Sequence, residues 1–299
     1  MKKTIFKTAA IGIAFGLVTS CSSDDDNNEV VEPGSNTDFS EVLENTSENV
    51  ILKTYEDLAE KGNALQEATI ALENNTTQAN LETAKEAWVA ARAPWEQSEG
   101  FLFGPVAQDG LDPALDSWPV NVTDLNNVVT SNNDLTVDFL AQQEGTLKGF
   151  HTVEFLLFGE NGDKQASEIT TREFEYLSAA SGALARDTQN LFDLWKPSGG
   201  DFVSKVADAG NGSDIYVAEK GALEEITNAL IIIADEVANG KINDPFSQQD
   251  LTLEESQFSN NSKKDFANNM RSIKNVYTGQ YESFGNGKSI STVIEDLDS

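Results

Sequence analysis

Between Phe39 and Glu73 the residues Leu43, Val50, Leu52, Tyr55, Leu58, Leu65 and Leu72 recur mainly at spacings of three and seven. That period lines up one stripe of a helix, whereas a strand turns its side chains to opposite faces at every second residue. Asn74-Asn75-Thr76-Thr77 breaks the run, and a second one from about Gln78 to Ser98 carries Leu81, Ala84, Trp88, Ala91 and Trp95 on one face. Pro94 is expected to kink or reset that helix. Gly100 to Pro119, with three prolines and three glycines among Phe101, Leu102, Phe103 and Trp118, reads as an irregular ordered loop. Further helices are expected over Thr136 to Phe158, from Thr170 or Thr171 to Trp195, over about Ser213 to Asn239 with Gly240 as C-cap, and over Asn261 to Tyr277 and Ser291 to Leu297. Strand signals are scarce and no repeat of 20–50 residues is evident. The pattern predicts an all-α protein of two helical bundles meeting along a groove, with an internal boundary near 161–170.

The N-terminal end lies outside this fold. Lys2, Lys3 and Lys7 precede the apolar run Ala9 to Val18, which is too short to span a membrane and reads as a secretory signal over residues 1–20. Val18-Thr19-Ser20-Cys21 resembles the bacterial lipobox, so Cys21 is expected to become a lipidated first residue. It is the only cysteine, so an internal disulfide is excluded. Ser22 to Asn36 is polar and acidic, which makes 21–37 a tether ahead of a domain over 38–299. A serine-aspartate run after that cysteine resembles a surface-export signal, which implies an outer-membrane lipoprotein displayed on the cell surface. The formal charge is −30, and without the signal's three lysines it becomes −33. Such a chain repels nucleic acid and anionic lipid, so the membrane is a partner only through the lipid anchor.

The single histidine, His151, stands three residues before Glu154 in the apolar run Gly149 to Phe158. Positions i and i+3 share a helical face, and buried ionisable groups are costly unless paired or bound to a metal. The pair is therefore either a metal or ligand site or a structural bridge between helices. Three further clusters compete with it: Glu96 with Glu99, the run Asp109 to Pro119 with Asp112 and Asp116, and Glu254-Glu255 with Asp265. One imidazole among several carboxylates suits iron, manganese or calcium better than a structural zinc site. Arg92 and Arg172 could instead pair with these acids in a structural network. A His-Glu-x-x-His peptidase needs two histidines and is excluded. No Gly-x-Ser-x-Gly turn and no phosphate-cradling glycine loop occur, so the residues themselves give little support to an enzyme.

Several motifs together resemble the imelysin family, also called M75 peptidase-like. They are Gly149-x-His151-x-x-Glu154, Trp88-x-x-x-Arg92-x-Pro94-Trp95, Glu99-Gly100-Phe101-Leu102-Phe103-Gly104-Pro105 and Asp116-Ser117-Trp118-Pro119. Glu255-Ser256-Gln257-Phe258-Ser259 and the stretch from Asp265 to Gly279 are similar to it too. The resemblance implies an all-helical fold of two bundle-like halves with a site at their interface, in an envelope protein linked to iron acquisition and sometimes described as a metallopeptidase. It implies His151 and Glu154 as metal or ligand-binding residues, with Glu99, Asp112 and Asp116 beside them. The expected function is binding of a metal ion or iron-bearing ligand, iron favoured over zinc or calcium, with an outer-membrane uptake partner. A metal-dependent endopeptidase and a non-enzymatic scaffold are the alternatives.

Overall fold

The computed structural model describes residues 38–285 and 287–298. The signal, Cys21 and the tether lie outside these residues. The described residues contain helices and turns with one isolated bridge, Tyr281 to Phe284, and no strand. The all-α expectation is met. None of these helices is long and apolar enough to cross a membrane.

Seven helices position the site: α1 (Leu52–Asn74), α2 (Gln78–Glu96), α3 (Leu111–Asp116), α4 (Gly149–Phe158), α5 (Thr171–Trp195), α6 (Glu219–Asp235) and α7 (Ser262–Thr278). α1 buries Tyr55, Leu58, Leu65 and Leu72 and packs along α2 and α5. The Thr77 hydroxyl caps α2 by accepting from the Asn80 amide at 3.2 Å. α2 then buries Leu81, Ala84, Trp88, Ala91 and Trp95. Pro94 lies in its last turn and the helix stops two residues later. The Thr170 and Glu173 side chains close a capping box at the start of α5. α1, α2, α4 and α5 thus form one bundle, in which α4 lies against α2 and α5. The connection at 161–170 joins α4 to α5, which pack on each other. α6 and α7 pack on each other, and α7 also lies against α2, which brings the second group of helices onto the first.

Three expected elements come out differently. Gly100 to Pro119 is mostly regular, holding a 3-10 turn Glu99–Phe101, a helix Pro105–Gln108 and α3. Gly104 and Gly110, both with φ +67°, provide the left-handed turns between these pieces. The helix expected over Thr136 to Phe158 is cut into Val137–Ala141, a 3-10 turn Gly145–Leu147 and α4. The cut falls at Gly149, whose φ is +74° and whose backbone leaves no room for a side chain: a Cβ there would lie 2.3 Å from the Leu115 carbonyl oxygen. α6 does not end at a Gly240 cap, because hydrogen bonding passes into π register over Glu236–Asn243 and then into a helix Asp244–Gln248. A π turn of this kind is often found at a functional site.

The close approach at Gly149 sets α4 against α3 and so fixes His151 beside Asp116. Gly149→Ala adds left-handed strain of about 1–3 kcal/mol to a backbone clash. Urea unfolding is expected to show a loss of at least about 2 kcal/mol; a loss under about 0.5 kcal/mol would mean that the α3–α4 contact yields easily.

Candidate functional site

Arg92 sits on the stripe that also holds Trp88 and Trp95, so the α2 period alone carries its guanidinium into the core. It is fully buried. Its Nη2 contacts Glu96 one turn on, and lies 3.1 Å from Glu255 Oε1. Nη1 contacts Asp116 on α3, and Nε is 3.7 Å from Asp265 on α7. The rings of Phe150 and Trp88 stack near it, with centroids 5.1 and 5.9 Å away.

A second buried cation, Lys241, comes from the π segment. Its Nζ donates to Glu99 Oε2 at 2.6 Å and Glu255 Oε1 at 2.8 Å, and lies 3.5 Å from Glu96 Oε2. Asn269 on α7 donates to Glu96 Oε2 at 2.7 Å and Glu99 Oε2 at 2.8 Å. The close approach at Gly100 locks the same turn, its amide donating to Ser272 Oγ at 2.7 Å.

His151 is held from both sides. Nδ1 lies 3.0 Å from Glu154 Oε2, and the other Glu154 oxygen accepts from the Ser259 amide and hydroxyl at 2.8 and 2.7 Å. Glu154 is therefore fully engaged in orienting the imidazole. Nε2 lies 3.0 Å from Asp116 Oδ1 without the alignment of a hydrogen bond. Asp116 Oδ2 accepts from the Trp95 indole at 2.6 Å.

The network holds six carboxylates, on Glu96, Glu99, Asp116, Glu154, Glu255 and Asp265, against three bases, Arg92, Lys241 and His151. Burial pushes Glu96 and Glu99 well above the usual carboxylate range, and neighbouring acids add to it despite Arg92 and Lys241. Burial also tends to raise Asp116, but Arg92 and His151 hold its carboxyl well below the usual range. The bases present do not offset burial at Glu96 and Glu99. Glu255 Oε2 and Asn269 Oδ1 are buried with no hydrogen-bond partner, which leaves oxygen donors in hand. One oxygen from each of Glu96, Glu99, Asp116 and Glu255 lie within 4.8 Å of one another, as do ligand atoms of Asp116, His151 and Glu255. These donors fit an oxygen-rich site with one imidazole.

Of the expected residues, the structure brings His151, Glu154, Asp116 and Glu99 together, with Glu154 behind the imidazole. Asp112 stands one turn before Asp116, half-buried and outside both donor groups. Burial and the charges of Asp116 and Glu236 push its carboxyl up to about 6. Arg172 lies elsewhere, pairing with Glu175 and donating to the Val129, Ser131 and Asn133 carbonyls. Asp265 stood in a competing acidic cluster of the sequence, whereas Lys241 and Asn269 were not among the candidates. The inward polar spacing Asp265, Asn269, Ser272 was available as a signal, whereas Lys241 fell beyond the expected end of its helix.

Burial disfavours charging of His151, but its contacts with Asp116 and Glu154 outweigh this and raise it to about 9 from 6.5. A raised imidazole adds stability that is complete below pH 6.5 and is lost as pH climbs through about 9. Metal-free protein is therefore expected to lose a few kcal/mol in urea unfolding between these limits from this group. His151→Gln should remove that part of the slope, and an identical slope in the variant would contradict the assignment.

The family model described as imelysin, peptidase M75, matches residues 51–299. Iron-regulated protein A of Synechococcus elongatus is 32% identical over 235 residues, 78% of this chain. The match spans 62% of that relative's length. A solved structure of a candidate iron-regulated protein A precursor from Parabacteroides distasonis superimposes with TM-score 0.75 at 28% identity, over 83% of this chain and 76% of that one. An imelysin-like protein from Psychrobacter arcticum gives TM-score 0.64 at 17% identity, over 79% and 72% of the two chains, a likeness of fold.

Proposed function

This chain belongs to the imelysin family, and from its buried cluster we propose that it binds a metal ion, iron by preference, in a role related to iron acquisition. The observation that carries the proposal is the convergence of the Glu96, Glu99, Asp116 and Glu255 oxygens, with the unaligned His151 Nε2 at their edge. Asp116, Glu255 and His151 would hold the ion, Glu96 and Glu99 would complete an oxygen shell, and Glu154 would fix the ring. A bound ion would stabilise the charged forms of Glu96 and Glu99, which burial disfavours. Hard oxygen donors with one imidazole suit iron or manganese. The names of the Synechococcus and Parabacteroides relatives favour iron.

Burial supports binding over cleavage of peptides. Arg92, Glu96, Glu99, Asp116, His151 and Glu255 are all at most 9% exposed, so an extended substrate backbone has no access to them. On the signal and lipobox of the first 21 residues we place the protein on the outer membrane, anchored through Cys21 and handing iron to an uptake partner.

The test is anaerobic titration with iron(II), with manganese(II) in parallel. His151→Gln and Glu255→Gln are each expected to weaken binding at least about ten-fold, and Glu154→Gln about 10–100-fold through loss of ring orientation. Metal should raise the melting temperature of the native chain and not that of His151→Gln. Equal affinity in all four proteins, or none in the native chain, would defeat the proposal.

The second expected outcome concerns cleavage. Native protein loaded with iron, manganese or zinc should leave an unfolded casein-like substrate intact. Cleavage lost in Glu154→Gln would instead establish the peptidase activity.

A further inference from the structure

The place where a cation would balance Glu96, Glu99 and Glu255 is already taken by one that the chain supplies. Lys241 Nζ spends its contacts on those three carboxylates, at 3.5, 2.6 and 2.8 Å, and its side chain is fully buried. Three of the four residues in the all-oxygen group are thus engaged by one ammonium. An ion cannot enter that group while Nζ stays there, because both need the same oxygens. We propose that Lys241 is a tethered counter-ion which holds the site in the metal-free protein and is expelled to solvent when the metal enters. This rests on the metal-binding reading above and adds how that site is filled.

Of the two basic side chains other than His151 in the cluster, only one is built to leave. Arg92 is gripped by acids from α2, α3, α7 and the 254–259 loop, and two aromatic rings stack on it. Its planar fork cannot quit one partner without unpairing others. Lys241 is a point charge on a flexible four-carbon stem. It rides on the π segment Glu236–Asn243, in which only Val237 and Lys241 are buried. Asn239 on one side is exposed, and Ile242 on the other is 48% exposed. Beyond them Phe246 and Leu251 are 81% and 73% exposed, so the segment has little core to surrender. Gly240 has only the Glu236 side chain near its missing Cβ, at 3.8 Å. A one-residue change from π to α register would turn Lys241 off the cluster while the segment keeps its backbone hydrogen bonds. The incoming ion brings two or three positive charges where the departing ammonium removes one, and His151 must release its proton to offer Nε2.

The role separates from a plain structural bridge by what metal does to the lysine. In the intact native chain, an amine-acylating reagent read by peptide mass spectrometry should leave Lys241 protected without metal. With saturating manganese(II), its modification should rise about ten-fold or more, while Lys164 in its own ion pair stays unchanged. Lys241→Gln, which keeps a donor and loses the charge, should bind manganese(II) about ten-fold tighter or better, because no competitor must be displaced. Manganese binding to the native chain with Lys241 still protected would overturn the inference and leave the metal site standing, and so would unchanged or weaker binding by Lys241→Gln that circular dichroism shows to be folded. No binding by either protein would overturn the metal site and this inference together. Should Lys241→Gln fail to fold, the acylation result on the native chain decides alone.

Discussion

Arg92 is the charge around which the rest of the site is arranged. A guanidinium with no exposure is tolerable only if carboxylates surround it, and satisfying it draws acids from α2, α3, α7 and the 254–259 loop to one point. Those elements lie far apart in sequence and belong to both groups of helices. The ionic centre therefore acts as a positional clamp, and the aromatic wall of Trp88, Trp95 and Phe150 keeps water from loosening it. Removing a single member would leave the others buried and unpaired, which costs more than the pair contributes.

The clamp also collects more negative charge than it needs. Arg92 alone would be served by two carboxylates, yet six acids gather in the same network. Helices are fixed by the ion pairs that Arg92 makes, and the proposed ion would draw on the acids that Lys241 holds in its absence. Glu154 shows the division within one motif. It shares a helical face with His151, but its oxygens are spent on the imidazole and on Ser259, so it positions the ring and leaves Nε2 as the nitrogen a metal can use.

Helix content was readable from apolar spacings of three, four and seven because those spacings bury one stripe. The boundaries were less so. Gly149 reads as one more helical residue until its close approach to Leu115 is known, and that contact is tertiary. The π register after Asp235 has no signature in a run as apolar as Leu230 to Ala234. Arg92 could be inferred as buried from its place between Trp88 and Trp95, and His151 from its apolar neighbours. Asp116 and Glu99 stood in acidic clusters of the sequence, and motif resemblance set them beside His151. Lys241 was out of reach, since a lone lysine beyond a glycine looks like solvent-facing chain and only the folded contacts show it among acids.

Anomalous diffraction from crystals soaked in manganese(II) tests the central claim most directly. The account predicts one strong peak within bonding distance of Asp116, Glu255 and His151 Nε2, in a pocket that Lys241 has left. A saturated crystal with no peak there, or with its peak on the exposed acidic surface, would contradict it.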